Sequence, residues 1–204
     1  MLPIVQNREY RNLAILQPSQ QKRIDSDCYV EGYATTFDRP YELYEFDGVK
    51  YFEAIDRNAL VGADMSDVIL QYDHEGKVLA RQSNKTLLLE ADNNGLFICA
   101  DLSKSSASKD LYEEINAGLV TRMSWAFTVA DEEYNKDTRT RTIKRIKKVY
   151  DVSAVSIPAN QDTEISARSY LDGVIEREKQ ELLKRADQQR KIKILIDLED
   201  LTHE

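Results

Sequence analysis

The chain has 204 residues, 28 Lys+Arg against 36 Asp+Glu, and a formal net charge of −8. The length suits one domain with an appendage or two very small domains, and with 42% hydrophobic and 31% charged residues the balance is globular and excludes a disordered chain. The acidic surplus argues against bulk binding to nucleic acid, and no uncharged stretch exceeds ten residues, so nothing spans a bilayer as a helix.

Residues 1–24 hold one apolar segment, Leu13–Leu16, and a polar loop around Pro18. The opening Met-Leu-Pro-Ile-Val soon meets Arg8, Glu9 and Arg11, which is not a secretory leader's profile. Tyr29–Phe37 alternates as a strand does, and Asp38-Arg39-Pro40 turns the chain. Residues 41–52 are aromatic-rich and broken by Asp47-Gly48, a hairpin signal. Glu53–Leu60 reads as a short helical turn with Asp56 as its N-cap. Asp67–Tyr72 is a short apolar strand that runs into Asp73-His74-Glu75-Gly76.

Thr86–Ala91, the turn Asp92–Gly95 and Leu96–Leu102 predict a second hairpin. Ser105 or Ser106 can cap a helix whose apolar residues Ala107, Leu111 and Ile115 recur every four positions, with Gly118 as its stop. Leu119–Ala130, Arg139–Tyr150 and Val152–Ile157 are extended runs, and Pro158-Ala159-Asn160 closes the last. Seven or eight short strands and one middle helix predict an α+β fold, mostly an antiparallel β-barrel ringed by helices. From Ser169 the composition shifts to Glu, Lys, Arg, Gln and Leu, with Leu171, Ile175, Leu182 and Ala186 on one helical face. Residues 1–27 therefore read as an N-terminal segment, 28–168 as a β-barrel domain and 169–204 as a C-terminal helical appendage. The apolar cluster Ile192–Leu198 suggests that the appendage packs on a partner.

Few residues offer chemistry. Cys28 and Cys99 are far apart and read as buried small hydrophobes of a reducing compartment. The two histidines, His74 and His203, are too few for a multi-histidine metal site, and seven glycines include no phosphate-binding motif. No cofactor and no metal are expected. His74 is the one histidine within the body of the chain, so any imidazole base is His74; otherwise it is a surface residue in a turn. Ser124 lies in the apolar run Met123–Phe127, as a small inward residue or as a nucleophile. Asp151 interrupts an apolar strand, where a carboxylate needs a partner: a lysine at 144, 147 or 148, or a histidine to orient. Arg139–Lys148 has six Lys/Arg in ten residues, which could bind an acidic scaffold or nucleic acid but reads more simply as a solvated strand face.

Five strings, in order, carry a resemblance. They are Val30–Ala34; Ile69–His74; the strand-turn-strand Leu87–Leu102 with Gly95-Leu96; Ile115–Phe127 with Met123-Ser124-Trp125; and Asp151–Asn160. Over residues 28–168 the chain resembles the prohead (procapsid) maturation proteases of tailed bacteriophages, the HK97-type family, which are distantly similar to the herpesvirus assemblins. The resemblance implies a serine endopeptidase with a barrel ringed by helices. It implies Ser124 as nucleophile, His74 as base and Asp151 as third member, with Asp73 as a rival carboxylate. Backbone N–H groups near Ala159 and Asn160 are the implied oxyanion region. The implied substrates are major capsid protein or scaffold precursors inside the immature procapsid in the host cytoplasm, with self-cleavage. A homo-oligomer is an open alternative; nucleic acid and membrane are not expected partners. The competing readings are a non-catalytic capsid assembly component with a protease-like barrel, and a metallohydrolase around Asp73-His74-Glu75, which lacks further histidines.

Overall fold

The computed structural model describes residues 8–18, 22–46 and 48–156, and Glu176, Arg177, Gln180, Lys184 and Gln188 beyond them. By its internal contacts the chain divides into two units, 1–164 and 165–204. In the second, the five described residues are helical and exposed. The rest of the expected appendage, including Ile192–Leu198, lies outside the described residues. Among these residues no helix is long and apolar enough to cross a membrane.

The first unit is mostly strand, with one helix. In chain order the elements are β1 (Glu9–Pro18), β2 (Tyr29–Thr36), β3 (Tyr41–Phe46), β4 (Val49–Ile55), β5 (Ile69–Tyr72), β6 (Glu75–Arg81), β7 (Leu87–Ala91) and β8 (Gly95–Asp101). Helix α1 (Ser106–Asn116), β9 (Arg122–Asn135) and β10 (Thr140–Val155) follow. The paired strands run in the order β3-β4-β10-β9-β1-β2-β8-β7, and β5 joins β10 and β6. This path does not close: β3 and β7 are its ends among the described residues. The expected closed antiparallel barrel is corrected to an open, mixed sheet. The strand count is compatible with either, because closure depends on long-range pairing that periodicity does not encode.

Two pairings depart from the expected antiparallel order. β10 is joined in parallel to β4 at Thr140–Ile143 and to β5 at Asp151–Ala154. Its 16 residues, read from sequence as two runs, form one strand with several register shifts against β9. β1, placed in the segment ahead of the domain, lies inside the sheet between β2 and β9. The sheet thus begins at residue 9. Its four-residue apolar run, Leu13–Leu16, sits in a polar context that hides a ten-residue strand.

Local signals explain the elements that were foreseen. β8 is buried along its whole length, so Leu96, Ile98 and Ala100 enter the main core while Phe97 and Cys99 pack with Tyr29 in a second cluster. Gly95 is required there: a Cβ would stand 1.9 Å from the Thr35 carbonyl oxygen. α1 begins at Ser105, whose side chain accepts from the Ser108 N–H at 3.1 Å, and it buries Leu111 and Ile115 four residues apart. Gly118 follows with φ +74°, the left-handed stop that glycine tolerates best. Ser108 Oγ donates to the Leu79 carbonyl at 2.7 Å and ties α1 to β6. The residues expected as a helical turn divide differently. Glu53–Ile55 complete β4, and turns follow from 57, with Asp56 accepting from the Asn58 N–H at 2.9 Å.

Candidate active site

Three adjoining strands build the site. On β9 the apolar side chains of Met123, Trp125 and Phe127 enter the core, with the Trp125 and Phe127 ring centroids 4.2 Å apart. Strand alternation places Ser124 on the opposite face. Across the antiparallel pair Ser124 faces Ser153 of β10, and Asp151 stands two residues further along the same face. Ser124, Asp151 and Ser153 are all buried, at 1%, 3% and 0% exposure.

The histidine arrives from the far side of β10. β5 runs parallel to that strand, with Tyr72 opposite Ala154. The chain then reverses in two residues, because Tyr72 pairs directly with Glu75 of β6. The two central residues, Asp73 and His74, have φ of +48° and +60°. Positive φ at both positions is the pattern of a type I′ hairpin turn, usually made by Asn-Gly. Without glycine it stores strain on the order of 1 kcal/mol or more per residue, a cost that clusters at functional sites. The tip is tied down at Asp73. Its N–H donates to the Ala154 carbonyl at 2.9 Å, and its carboxylate accepts from the Ser156 N–H at 3.0 Å and the Ser156 hydroxyl at 2.8 Å.

The result is a linear relay. His74 Nε2 lies 2.7 Å from Ser124 Oγ, and His74 Nδ1 lies 2.5 Å from Asp151 Oδ1. An ionised carboxylate only accepts, so the proton on the imidazole belongs on Nδ1 and the Nε2 lone pair faces the serine hydroxyl. That arrangement lets His74 take a proton from Ser124 as the hydroxyl oxygen attacks an electrophile, with Asp151 holding the tautomer and offsetting the positive charge that forms. Asp73, the rival carboxylate, is engaged by Ser156. None of the three lysines weighed as partners for Asp151 is its hydrogen-bond partner here; Lys144 joins Asp56 and Lys148 joins Asp64, each at 2.7 Å. Ala159 and Asn160, expected near the oxyanion, lie outside the described residues.

Sequence reasoning missed two contributors. One is Ser153, whose hydroxyl donates to Asp151 Oδ1 at 2.9 Å. Its signal was available, since residues two apart on a strand share a face. The other is β6, whose pairing with β5 makes the turn at His74 a two-residue hairpin. Asp-His is not the usual dipeptide for a two-residue hairpin, although both types enter the left-handed region more readily than most. Beside this hairpin a groove of about 550 Å³ runs between β6 and α1, lined by residues including Tyr72, Asp73, Glu75, Leu79, Leu111 and Glu114.

Residues 17–181 match the family described as Caudovirus prohead serine protease. The chain belongs to that family. It is also 28% identical to the prohead protease of Enterobacteria phage HK97 over 145 residues, covering 71% of this chain. The aligned part is 61% of the HK97 protein, so the chain spans less than two thirds of that relative's length. No solved structure matches this chain. The family agrees with the resemblance read from the five strings.

Proposed function

We propose that this chain is a serine endopeptidase of Ser-His-Asp type that processes capsid or scaffold precursor proteins, and itself, during phage procapsid maturation. One observation carries the reading: a single imidazole bridges a buried serine hydroxyl at 2.7 Å and a buried carboxylate at 2.5 Å. In this reading Ser124 attacks the scissile carbonyl and gives its proton to His74. His74 returns that proton to the departing amine, and an acyl-enzyme remains. Water then attacks the acyl carbon, with His74 again as base, and releases the carboxylic acid product. The groove between β6 and α1 offers room for a substrate chain beside the base. Backbone N–H groups just after β10, at Ala159 and Asn160, are the proposed oxyanion donors. Residues 169–204 act as the docking element for a coiled scaffold and are dispensable for peptide-bond hydrolysis. The enzyme works inside the immature shell in the host cytoplasm.

The test is processing of the precursor by Ser124→Ala. Cleavage is expected to fall by on the order of 10⁴-fold or more while the protein folds normally, and His74→Ala should match it without further loss in the double variant. Near wild-type cleavage by Ser124→Ala rules the assignment out.

A further inference from the structure

We propose that Ser153 is a positioning residue that holds the Asp151 carboxylate in register with His74; the proposal rests on the Ser124–His74–Asp151 reading. Ser153 is fully buried and its hydroxyl donates to Asp151 Oδ1 at 2.9 Å. That oxygen is the one facing His74 Nδ1 at 2.5 Å. Two donors therefore converge on one carboxylate oxygen. The need for the second follows from torsional chemistry. The last torsion of an aspartate side chain is soft and broad, so one hydrogen bond leaves the carboxylate free to rock about it. A donor fixed in a neighbouring strand position removes that freedom. Ser153 suits the task because it is two residues from Asp151 on the same face and belongs to the strand pair that carries Ser124. It acts through Asp151.

The experiment uses the full chain and a fluorophosphonate probe, which phosphonylates an activated serine with loss of fluoride. Ser153→Ala should lower the maximal labelling rate by about 10- to 100-fold, the order that one charge-assisted hydrogen bond supplies, with the probe's half-saturation concentration unchanged. Ser153→Thr returns a hydroxyl on the same Cβ and should recover the rate to within about threefold, since the donor that counts is restored. Ser153→Ala combined with Asp151→Asn should be no slower than Asp151→Asn alone, because a residue acting through another adds nothing once that one is impaired. A purely structural serine would instead lower the melting temperature and leave the labelling rate per folded molecule intact. Should Ser153→Ala fail to fold, Ser153→Cys, close in size and a weak donor, carries the same expectation of a loss of about tenfold or more. A wild-type rate in the folded alanine or cysteine variant, with Ser124→Ala unlabelled, overturns the role of Ser153 and leaves the relay standing. Labelling of Ser124→Ala at the wild-type rate overturns the relay, and the role of Ser153 falls with it.

Discussion

β10 passes through two buried polar clusters that solve the same problem in opposite ways. At its start, Arg141 joins Arg11, Glu9, Glu53, Glu132 and Tyr41 in a network from five strands. Arg141 contacts Glu9 at 2.6 and 2.8 Å and Glu53 at 3.0 Å, and also binds Glu132. Arg11 contacts Glu9 at 2.5 Å and chelates Glu53, which also accepts from Tyr41. At its end, one carboxylate, Asp151, is served by an imidazole and a hydroxyl. The first cluster balances permanent charges against one another. Burial opposes the charge on Arg11, but Glu53 and Glu9 more than offset it and hold its pKa well above normal. Burial likewise raises Glu9, while Arg141 and Arg11 bring it below the usual carboxylate range. Such a cluster stays locked over the whole neutral range. The second pairs its carboxylate with an imidazole, which can take up and give back a proton, rather than with a permanent cation.

The comparison breaks most visibly at Asp151. Asp151→Asn should cut precursor cleavage by about 10³- to 10⁴-fold, because an amide carries no charge to offset the imidazolium and its NH2 can select the wrong imidazole tautomer. Folding should survive, as the shape is nearly unchanged; a cleavage assay with a parallel melting curve checks both. Arg141→Met attacks the other cluster. It leaves Glu9 and Glu132 short of their partner and should lower stability by about 3–5 kcal/mol, measured by urea unfolding. Cleavage per folded molecule should hardly change, which separates the two clusters by function. A comparable loss of activity at full stability would mean that they are coupled.

Smaller effects sharpen the picture. Asp73→Asn keeps an acceptor for the Ser156 N–H and a residue type that tolerates positive φ, so activity should fall by only about threefold. A loss as deep as that of Asp151→Asn would make Asp73 the orienting carboxylate. The mildest test is acid. Burial raises the pKa of Asp101, but hydrogen bonds from Ser26 and Ser103, with Lys104 adding its charge, bring it from the ordinary 3.8 down to about 2. A carboxylate depressed on folding contributes stability that is fully present above the unfolded value and is lost as pH falls through the folded one. Stability should therefore drop between about pH 4 and pH 2, and Ser26→Ala should flatten that part of the profile. Urea midpoints across this range give the slope.

Part of the candidate site was legible because some of its signals are local. His74 stood out as the one histidine in the body of the chain, and Asp151 as a carboxylate in an apolar strand. Ser124 carried no such mark by itself; the ordered strings around it carried the resemblance that implies its proposed role. The basic run at 139–148 shows the opposite case. Lys144, Arg145 and Lys147 are exposed as expected, but Arg141 is buried, and its partners Glu9, Glu53 and Glu132 lie up to 132 residues away in sequence. Alternation cannot report this, since a buried arginine and a solvated one look alike in sequence.

The sequence by itself determined the strands with clean alternation, the hairpins at Asp47-Gly48 and Asp92–Gly95, and α1 with its serine cap and Gly118 stop. Each depends on residues within a few positions of one another, where torsional preference and side-chain period act directly. Only the tertiary structure decided that β1 lies inside the sheet, that β10 pairs in parallel with β4 and β5, and that the strand path stays open. It also decided that Asp151, 77 residues from His74, meets the imidazole while Asp73, its immediate neighbour, turns to Ser156. The reason is physical: two residues in succession on a tight turn point their side chains apart, whereas a strand paired across the sheet brings distant side chains to hydrogen-bond range.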